Sequence, residues 1–459
     1  MKKAGTTAVV VLCLVQFVDV LGVTELICAM PKILASLRAP GACAALLLTA
    51  YAMCFGGLLL LGARIGDRVG HRSALLIGIA AFFAGSLVAA LAPSIGPLIV
   101  GRCVQGAAAA VSVPAALRLL IGATPGPAAR RRALAAWSAA GAAAGAIGYL
   151  VGGGLTELAG WRAMFWINLP IAILIAAGVA AYVTGDPQRP RGGGLDLPGA
   201  LLFTAAAMCL VLAGSELQRP GHVMLGLLVI AASVGLVAGL IWVERGARDP
   251  LVPVEALRRP QLRIGAGASF LNTATTSSAV AIATLQLQRT QHLSPAAAAL
   301  RLVPFSICVI GGASAAAPAL RRLGARSVIA VGLGTIAAAN ALLIASPSST
   351  WLVPVAVAAA GAGIGLSSVA ATGLGTEVGE GLRAAAGGVL NTAAQLGTAL
   401  GVAAVLLLSS ATERTSLPLH GPQLGWAAAA AVAISGAGLC ALPEAGRLAG
   451  RLSRLRQPA

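Results

Sequence analysis

The chain alternates long apolar runs with short, arginine-bearing connections, and that alternation leaves few folds open to it. Ala42 to Leu61 and Ala74 to Ala92 are each long enough to cross a bilayer at about 1.5 Å of rise per residue. Between them lies only the block Leu61 to Arg72, LGARIGDRVGHR. Its charges, Arg64, Asp67, Arg68 and Arg72, cross hydrocarbon only at high cost, so the block is a tight connection held at one membrane face. Its arginine excess favours the cytoplasmic face, and Gly66 and Gly70 let the turn be short. A mean hydropathy of +0.90 with 10% charged residues excludes an ordinary soluble domain. The chain reads as an all-α polytopic membrane protein.

Taking each long apolar stretch bounded by charge, proline or glycine clusters as one span gives fourteen. Their limits are roughly 8–30, 42–62, 74–92, 96–120, 133–155, 163–184, 197–215, 222–243, 264–286, 295–318, 326–346, 351–374, 384–409 and 424–443. The segment Met1 to Thr7 leads into a run ending at Met30-Pro31-Lys32 without a small-residue cleavage site, so it opens a spanning helix rather than a removed signal. An even count puts both termini on one side. With that side cytoplasmic, the inner connections hold Arg64, Arg68 and Arg72, then Arg118 and Arg130 to Arg132, Arg189 and Arg191, and Arg245 to Arg263. They go on to collect Arg321, Arg322, Arg326, Arg383 and the tail from Arg447 to Arg456. Outside stand only Lys32, Arg38, Arg162, Arg219, Arg289 and Arg414, an asymmetry that a missed span would scramble.

The same scatter explains the formal charge of +18 as topology, with no basic patch for nucleic acid. Lysine occurs only at Lys2, Lys3 and Lys32, so there is no phosphate-loop lysine, and Gly361-Ala362-Gly363-Ile364-Gly365 lacks a preceding strand. The eight cysteines show no C-x-x-C spacing and read as small packing residues. His71, His222, His292 and His420 lie far apart, which leaves neither a metal site nor a catalytic triad, and the chain is not read as an enzyme.

Longer connections at Gly185 to Asp196 and Glu244 to Leu262 bracket spans seven and eight. They divide the chain into residues 1–184 with six spans, 185–262 with two additional spans, and 263–459 with six spans and a basic tail. A weak repeat supports the division: Arg321-Arg322-Leu323-Gly324-Ala325-Arg326 aligns without gaps on Asp67-Arg68-Val69-Gly70-His71-Arg72. Repeated halves are how many secondary transporters are built, with the substrate site between them near the midplane.

Two acids lie inside span one. Counted from Pro31, Asp19 is roughly 17 Å deep, near the midplane, and Glu25 roughly 9 Å deep. An ionisable group within a span is a functional hypothesis by default, and burial lets a carboxyl exchange its proton near neutral pH. Arg102 of span four lies in the layer of Glu25, and the two are expected to face each other, a pairing that substrate binding can break. Asn272, Thr273, Thr275, Thr276, Ser277 and Ser278 of span nine line a cavity or bond within their helix, and Arg301 snorkels or repels cations.

Several of these stretches resemble the major facilitator superfamily. The block with Gly62, Asp67, Arg68, Gly70 and Arg72 resembles that superfamily's G-x-x-x-D-R-x-G-x-R loop, with Ala63 for the first glycine and His71 at a usually basic place. There the acid latches one conformation. Arg102-Cys103-Val104-Gln105-Gly106 is similar to its R-x-x-Q-G motif of helix four, whose Arg is tied to proton coupling. Gly141, Gly145, Gly148, Gly152 and Gly153 resemble the G-x-x-x-G-P-x-x-G-G antiporter motif of its drug:proton antiporters with fourteen spans, Tyr149 replacing the proline and removing its kink. Gly160-Trp161-Arg162 and Phe165-Trp166-Ile167-Asn168-Leu169-Pro170 are typical of that family, and so are Thr49-Ala50-Tyr51 and Asn391-Thr392-Ala393-Ala394-Gln395-Leu396-Gly397. Its span-one pattern D-x-T-I-V-N-V-A-L-P keeps Thr24 here but has Gly22 for the acid, whose role is carried over to Asp19, one turn earlier.

The resemblance implies two six-helix bundles with two central spans added, and export of a drug, antibiotic or secondary metabolite in exchange for protons. Asp19, Glu25 and Arg102 would couple the proton, and Thr24, Tyr51, Gln105, Asn272, Thr276, Asn391 and Gln395 would line the substrate cavity. The partners implied are the small molecule, protons and the lipid bilayer of the cytoplasmic membrane, with a proton gradient in place of any cofactor and no obligate protein partner. Uptake or facilitated diffusion of a metabolite by the same fold, and a non-transporting sensor or accessory subunit, are the rival readings.

Overall fold

The computed structural model describes residues 2–124, 126–184, 196–219, 221–246, 258–345, 351–379, 382–411 and 421–441, with Glu255 and Ser349. These residues form fourteen α-helices and no strand. The first eight are α1 (Lys2–Ser36), α2 (Cys43–Val69), α3 (His71–Leu91), α4 (Ile95–Gly122), α5 (Pro127–Leu158), α6 (Arg162–Tyr182), α7 (Leu197–Leu217) and α8 (Val223–Gly246). They are followed by α9 (Pro260–Leu285) with a π-turn (Gln286–Thr290), α10 (Pro295–Leu323), α11 (Ala325–Ala345), α12 (Leu352–Gly375), α13 (Arg383–Ala411) and α14 (Gly421–Ala441). Each expected span falls on one helix. Arg189, Arg191, most of the two longer connections and the tail from Arg447 lie outside the described residues.

Thirteen of these helices are long and apolar enough to cross a membrane. The exception is α9, where the polar run from Asn272 to Ser278 lowers the hydropathy. Thr275 donates to Leu271 O at 2.7 Å and Thr276 to Asn272 O at 2.6 Å within the helix, while Thr273 donates to Ala394 O of α13 at 2.6 Å, so the helix can be buried among protein neighbours. Where the sequence suggests that the first helix stops near Pro31, it continues to Ser36. A proline costs one backbone hydrogen bond, which a packed membrane helix tolerates. The extension places Asp19 at the centre of α1.

The packing of α1 to α6 recurs in α9 to α14. Helix α1 lies against α4, α5 and α6, α2 against α4, and α3 against α4 and α6. In the same order α9 lies against α12, α13 and α14, α10 against α12, and α11 against α12 and α14. The two sets meet along two seams, α5 with α10 and α2 with α13. Gly70 joins α2 to α3 at φ 88° and Gly324 joins α10 to α11 at φ 79°, left-handed backbone that glycine adopts at little cost. The aligned blocks are thus the same turn in both sets.

Arginines fasten α3 to α6 at both ends. Arg72 Nη2 donates to Ala180 O at 2.8 Å and Arg162 Nη2 to Ala92 O at 2.9 Å, cations set on the last carbonyls of two antiparallel helices. Helix α7 packs on α2 and α13, and α8 packs on α7 with only Gly226 and Ser233 buried, so its leucines and Trp242 form an outward apolar face. At their turn Glu216 holds Arg219 at 3.0 Å and His222 at 2.8 Å.

Candidate functional site

The charged centre is built on α1. Asp19 is 8% exposed and accepts a hydrogen bond from the Tyr51 hydroxyl on α2. The Arg102 guanidinium of α4 lies over the Tyr51 ring, 4.7 Å from its centroid, a buried cation–π contact. Arg102 Nη1 donates to Gln105 Oε1 at 3.0 Å, and Gln105 Nε2 donates to Ser86 Oγ on α3 at 2.8 Å. One polar chain therefore runs Asp19, Tyr51, Arg102, Gln105, Ser86 across four helices.

Glu25 is 1% exposed, hydrogen-bonds Asn168 of α6, and leaves Oε2 without a hydrogen-bond partner among the described residues. Arg102 Nε and Nη2 are likewise buried without a hydrogen-bond partner among the described residues. The expected Glu25–Arg102 pair is therefore close enough for charge interaction but is not hydrogen-bonded. The reason lies in height along α1. Arg102 Nη1 comes within 4.0 Å of where a Cβ on Gly22 would sit, and Gly22 lies three residues from Asp19 and three from Glu25. The guanidinium thus stands between the two acids, and Tyr51 holds it toward the first.

A cavity of about 30 Å³ adjoins Asp19 and Tyr51, lined mainly by apolar side chains such as Val15, Ile79, Phe82 and Ile175, with Ser112 on its wall. That is room for one or two water molecules. The cavity thus sets a water-sized space beside a carboxyl and a phenol.

The glycine positions of α5 set how closely its neighbours come. A Cβ on Gly148 would lie 1.8 Å from Thr24 Oγ1, and one on Gly152 would lie 2.1 Å from Glu25 O, so both admit α1. Gly153 faces the other way, where a Cβ would meet Pro295 O at 2.5 Å. Gly145 O accepts from Ser306 at 2.9 Å, and buried Tyr149 packs edge-on against Phe305 at 6.5 Å, so the residue replacing proline closes part of the α5–α10 seam.

The remaining expected residues are spread more widely. Asp67 is exposed and pairs with His71 at 3.4 Å, Arg68 is exposed, Gly62 lies where a Cβ would be 2.0 Å from Ala110 O, and Gly70 and Arg72 hold the turn described above. Thr24 bonds back to Val20 O at 3.2 Å. Asn272 and Thr276 are buried inside the second helix set, Asn272 accepting from Ser367 of α12 at 2.8 Å, so neither adjoins the charged centre. Gln395 packs beside Gly56 on the α2–α13 seam, where Thr392 donates to Gly56 O at 2.8 Å, and Asn391 is half-buried one residue before. Sequence reasoning did not single out Ser86, Asn168, Phe305 or Ser367 as site residues. Asn168 carried a signal in its F-x-I-N-x-P setting; a serine or phenylalanine in an apolar run carries none.

Comparison with known proteins agrees with this architecture. The profile of the Major Facilitator Superfamily matches residues 12–402. A cephamycin export protein of Amycolatopsis lactamdurans is 34% identical over 421 residues, 89% of this chain and 85% of that one. A puromycin resistance protein of Streptomyces alboniger is 32% identical over 90% of this chain and 83% of its own. A lincomycin resistance protein of Streptomyces lincolnensis is 31% identical over 76% and 73%. The crystal structure of a human organic anion transporter superposes with a TM-score of 0.65 over 95% of this chain and 99% of that one, at 14% identity, which speaks for the fold alone. By its sequence, its repeated six-helix packing and these relatives, the chain belongs to the Major Facilitator Superfamily.

Proposed function

We propose that the chain exports a hydrophobic or amphipathic small molecule, a drug, antibiotic or secondary metabolite, in exchange for protons across the cytoplasmic membrane. The arginine-rich face carrying Arg64, Arg68 and Arg130 to Arg132 is cytoplasmic on this reading, and both termini lie there. The observation that carries it is the buried assembly of Asp19, Tyr51 and Arg102 at the middle of α1, a costly placement for charge unless it is used. The export and resistance functions named for the relatives supply the direction and the substrate class.

In this mechanism residues 1–184 and 263–459 rock against each other about the α5–α10 and α2–α13 seams. Asp19 takes a proton and releases the Tyr51 hydroxyl, which frees Arg102 to shift along α1 toward Glu25; deprotonation reverses the shift. The Asp67–His71 turn latches the cytoplasmic side. One proton moving down 100 mV releases about 2.3 kcal/mol, enough for roughly a fifty-fold substrate gradient, so no other energy source or cofactor is required.

The test is efflux of a lipophilic cationic dye from proteoliposomes under an imposed pH gradient, with Asp19→Asn and Glu25→Gln beside the parent. Gradient-driven efflux lost in Asp19→Asn supports antiport through that carboxyl. Efflux indifferent to the gradient and to both substitutions would favour facilitated diffusion, and α5 running unbroken through Tyr149 is the feature that would then gain meaning. Transport activity insensitive to Arg102→Ala would point to a sensor or accessory role.

A further inference from the structure

Four residues of α5 at a regular spacing of four, Gly145, Tyr149, Gly153 and Glu157, make contact with α10 across the seam between the two halves. The first three make a backbone hydrogen bond, a ring contact and a glycine close approach. The fourth ends the row with a charge: Glu157 Oε2 accepts from Ala296 N at 3.2 Å, and the carboxylate also takes the Ser294 hydroxyl. Ser294 is the N-cap of α10 and in turn accepts from Ala297 N at 3.3 Å, with Pro295 filling the first helical position. The first turn of this 29-residue helix is thus capped by a carboxylate from the other half of the molecule. Among the described residues the charged group facing the carboxylate is Lys32 of α1, and α10 presents the Ser294 hydroxyl and the Ala296 N–H to it.

We infer that Glu157 is a positioning residue of the transport cycle, a latch that holds α5 to the N-terminus of α10 on the face away from the arginine-rich loops and must release for that face to open. This rests on the alternating-access reading given above. The geometry suits a reversible latch. Gly153, one turn earlier, brings the first turn of α10 within reach, while Glu157 itself is solvent-exposed, so its bonds are exchanged readily for water. A carboxylate on a helix N-terminus is favoured by the helix dipole, and that advantage is lost the moment the helices part. The latch therefore biases the closed arrangement modestly without trapping it, as a device used in every cycle should.

The test is hydrogen exchange of the amides at Ala296 to Ala299 in the full-length protein in nanodiscs, for the parent, Glu157→Gln, Ser294→Ala and the double variant, together with melting temperature and dye efflux. Glu157→Gln keeps the shape and removes the charge. The inference predicts roughly threefold faster exchange at the α10 N-terminus in each single variant, no further gain in the double variant, and an unchanged melting temperature. A changed dye-efflux turnover in Glu157→Gln, at unchanged half-saturation, is the transport signature of a latch. Exchange at α10 equal in parent and Glu157→Gln overturns the inference, and so do single effects that simply add. Dye that the parent fails to move contradicts the export reading instead and leaves the exchange result to decide the latch.

Discussion

The two six-helix sets share a packing plan and differ in what they bury at equivalent crossings. Where α1 meets α4, the first set holds Asp19, Glu25 and Arg102 under Tyr51. Where α9 meets α12, the second holds Asn272 and Ser367, an amide and a hydroxyl 2.8 Å apart. The helices that end at the paired turns differ in the same sense. Counting back nineteen residues from Gly70 reaches Tyr51, whose hydroxyl serves Asp19, and nineteen back from Gly324 reaches Phe305, which has none and packs on Tyr149 instead. The fold repeats because packing repeats; the chemistry sits in one half. Titratable charge is expensive at this depth, and on the proposed mechanism one copy is enough to couple a cycle that moves both halves.

The largest expected effect breaks the charged side of this comparison. Arg102→Ala leaves two buried acids without their cation, so gradient-driven efflux should fall by at least about a hundredfold and stability by about 3–5 kcal/mol, read by dye efflux and thermal melting. Asp19→Asn should come next. The amide still accepts from Tyr51, so the melting temperature holds, while exchange against a pH gradient drops by about tenfold or more. Tyr51→Phe makes α2 resemble α10 at the paired position. It strips Asp19 of its hydroxyl donor and should cost about 1–3 kcal/mol together with a fall in efflux smaller than that of Asp19→Asn.

Much of this was legible in the chain, for identifiable reasons. Fourteen spans and their order follow from apolar length and arginine placement, which water and lipid enforce on every residue. Asp19, Glu25 and Arg102 stood out because charge within a span is rare. What lay between them was not legible: Tyr51 under Arg102 is a rotamer choice made by three helices together, and no periodicity reports it. The burial of Asn272 and Thr276 was hidden for a related reason, since a polar run reads the same whether it lines a cavity or faces a neighbouring helix. The partner of Tyr149 was hidden as well, because the α5–α10 seam joins residues far apart in sequence.

The glycines sharpen the shared side of the comparison. A Cβ at Gly152 would stand 2.1 Å from Glu25 O, and one at Gly401 would stand 2.4 Å from Ala274 O, at the matching α1–α5 and α9–α13 crossings. Gly152→Ala and Gly401→Ala should therefore destabilise alike, by about 1–3 kcal/mol each, because backbone cannot yield as a flexible side chain does. If melting separates them widely, the two sets are not packed alike after all. If efflux separates them at equal stability, with Gly152→Ala the worse, the excess measures how far a displaced Glu25 disturbs the proton step.

The smallest expected effect is at the neutral crossing, and it is the most exacting test of the asymmetry. Ser367 already donates to Gly363 O at 2.8 Å within its own helix, so losing its Asn272 partner leaves its hydroxyl satisfied. Asn272 Nδ2 has no hydrogen-bond partner among the described residues, so truncating the amide also removes an unsatisfied buried donor. The cavity left by truncating this fully buried side chain opposes that gain. Asn272→Ala should therefore shift stability by no more than about 1 kcal/mol and leave pH-driven efflux within about twofold of the parent. A large loss of coupling in Asn272→Ala with the melting temperature intact would mean that the second half contributes a polar group to the transport step itself. The division of labour between a chemical half and a packing half would then have to be given up.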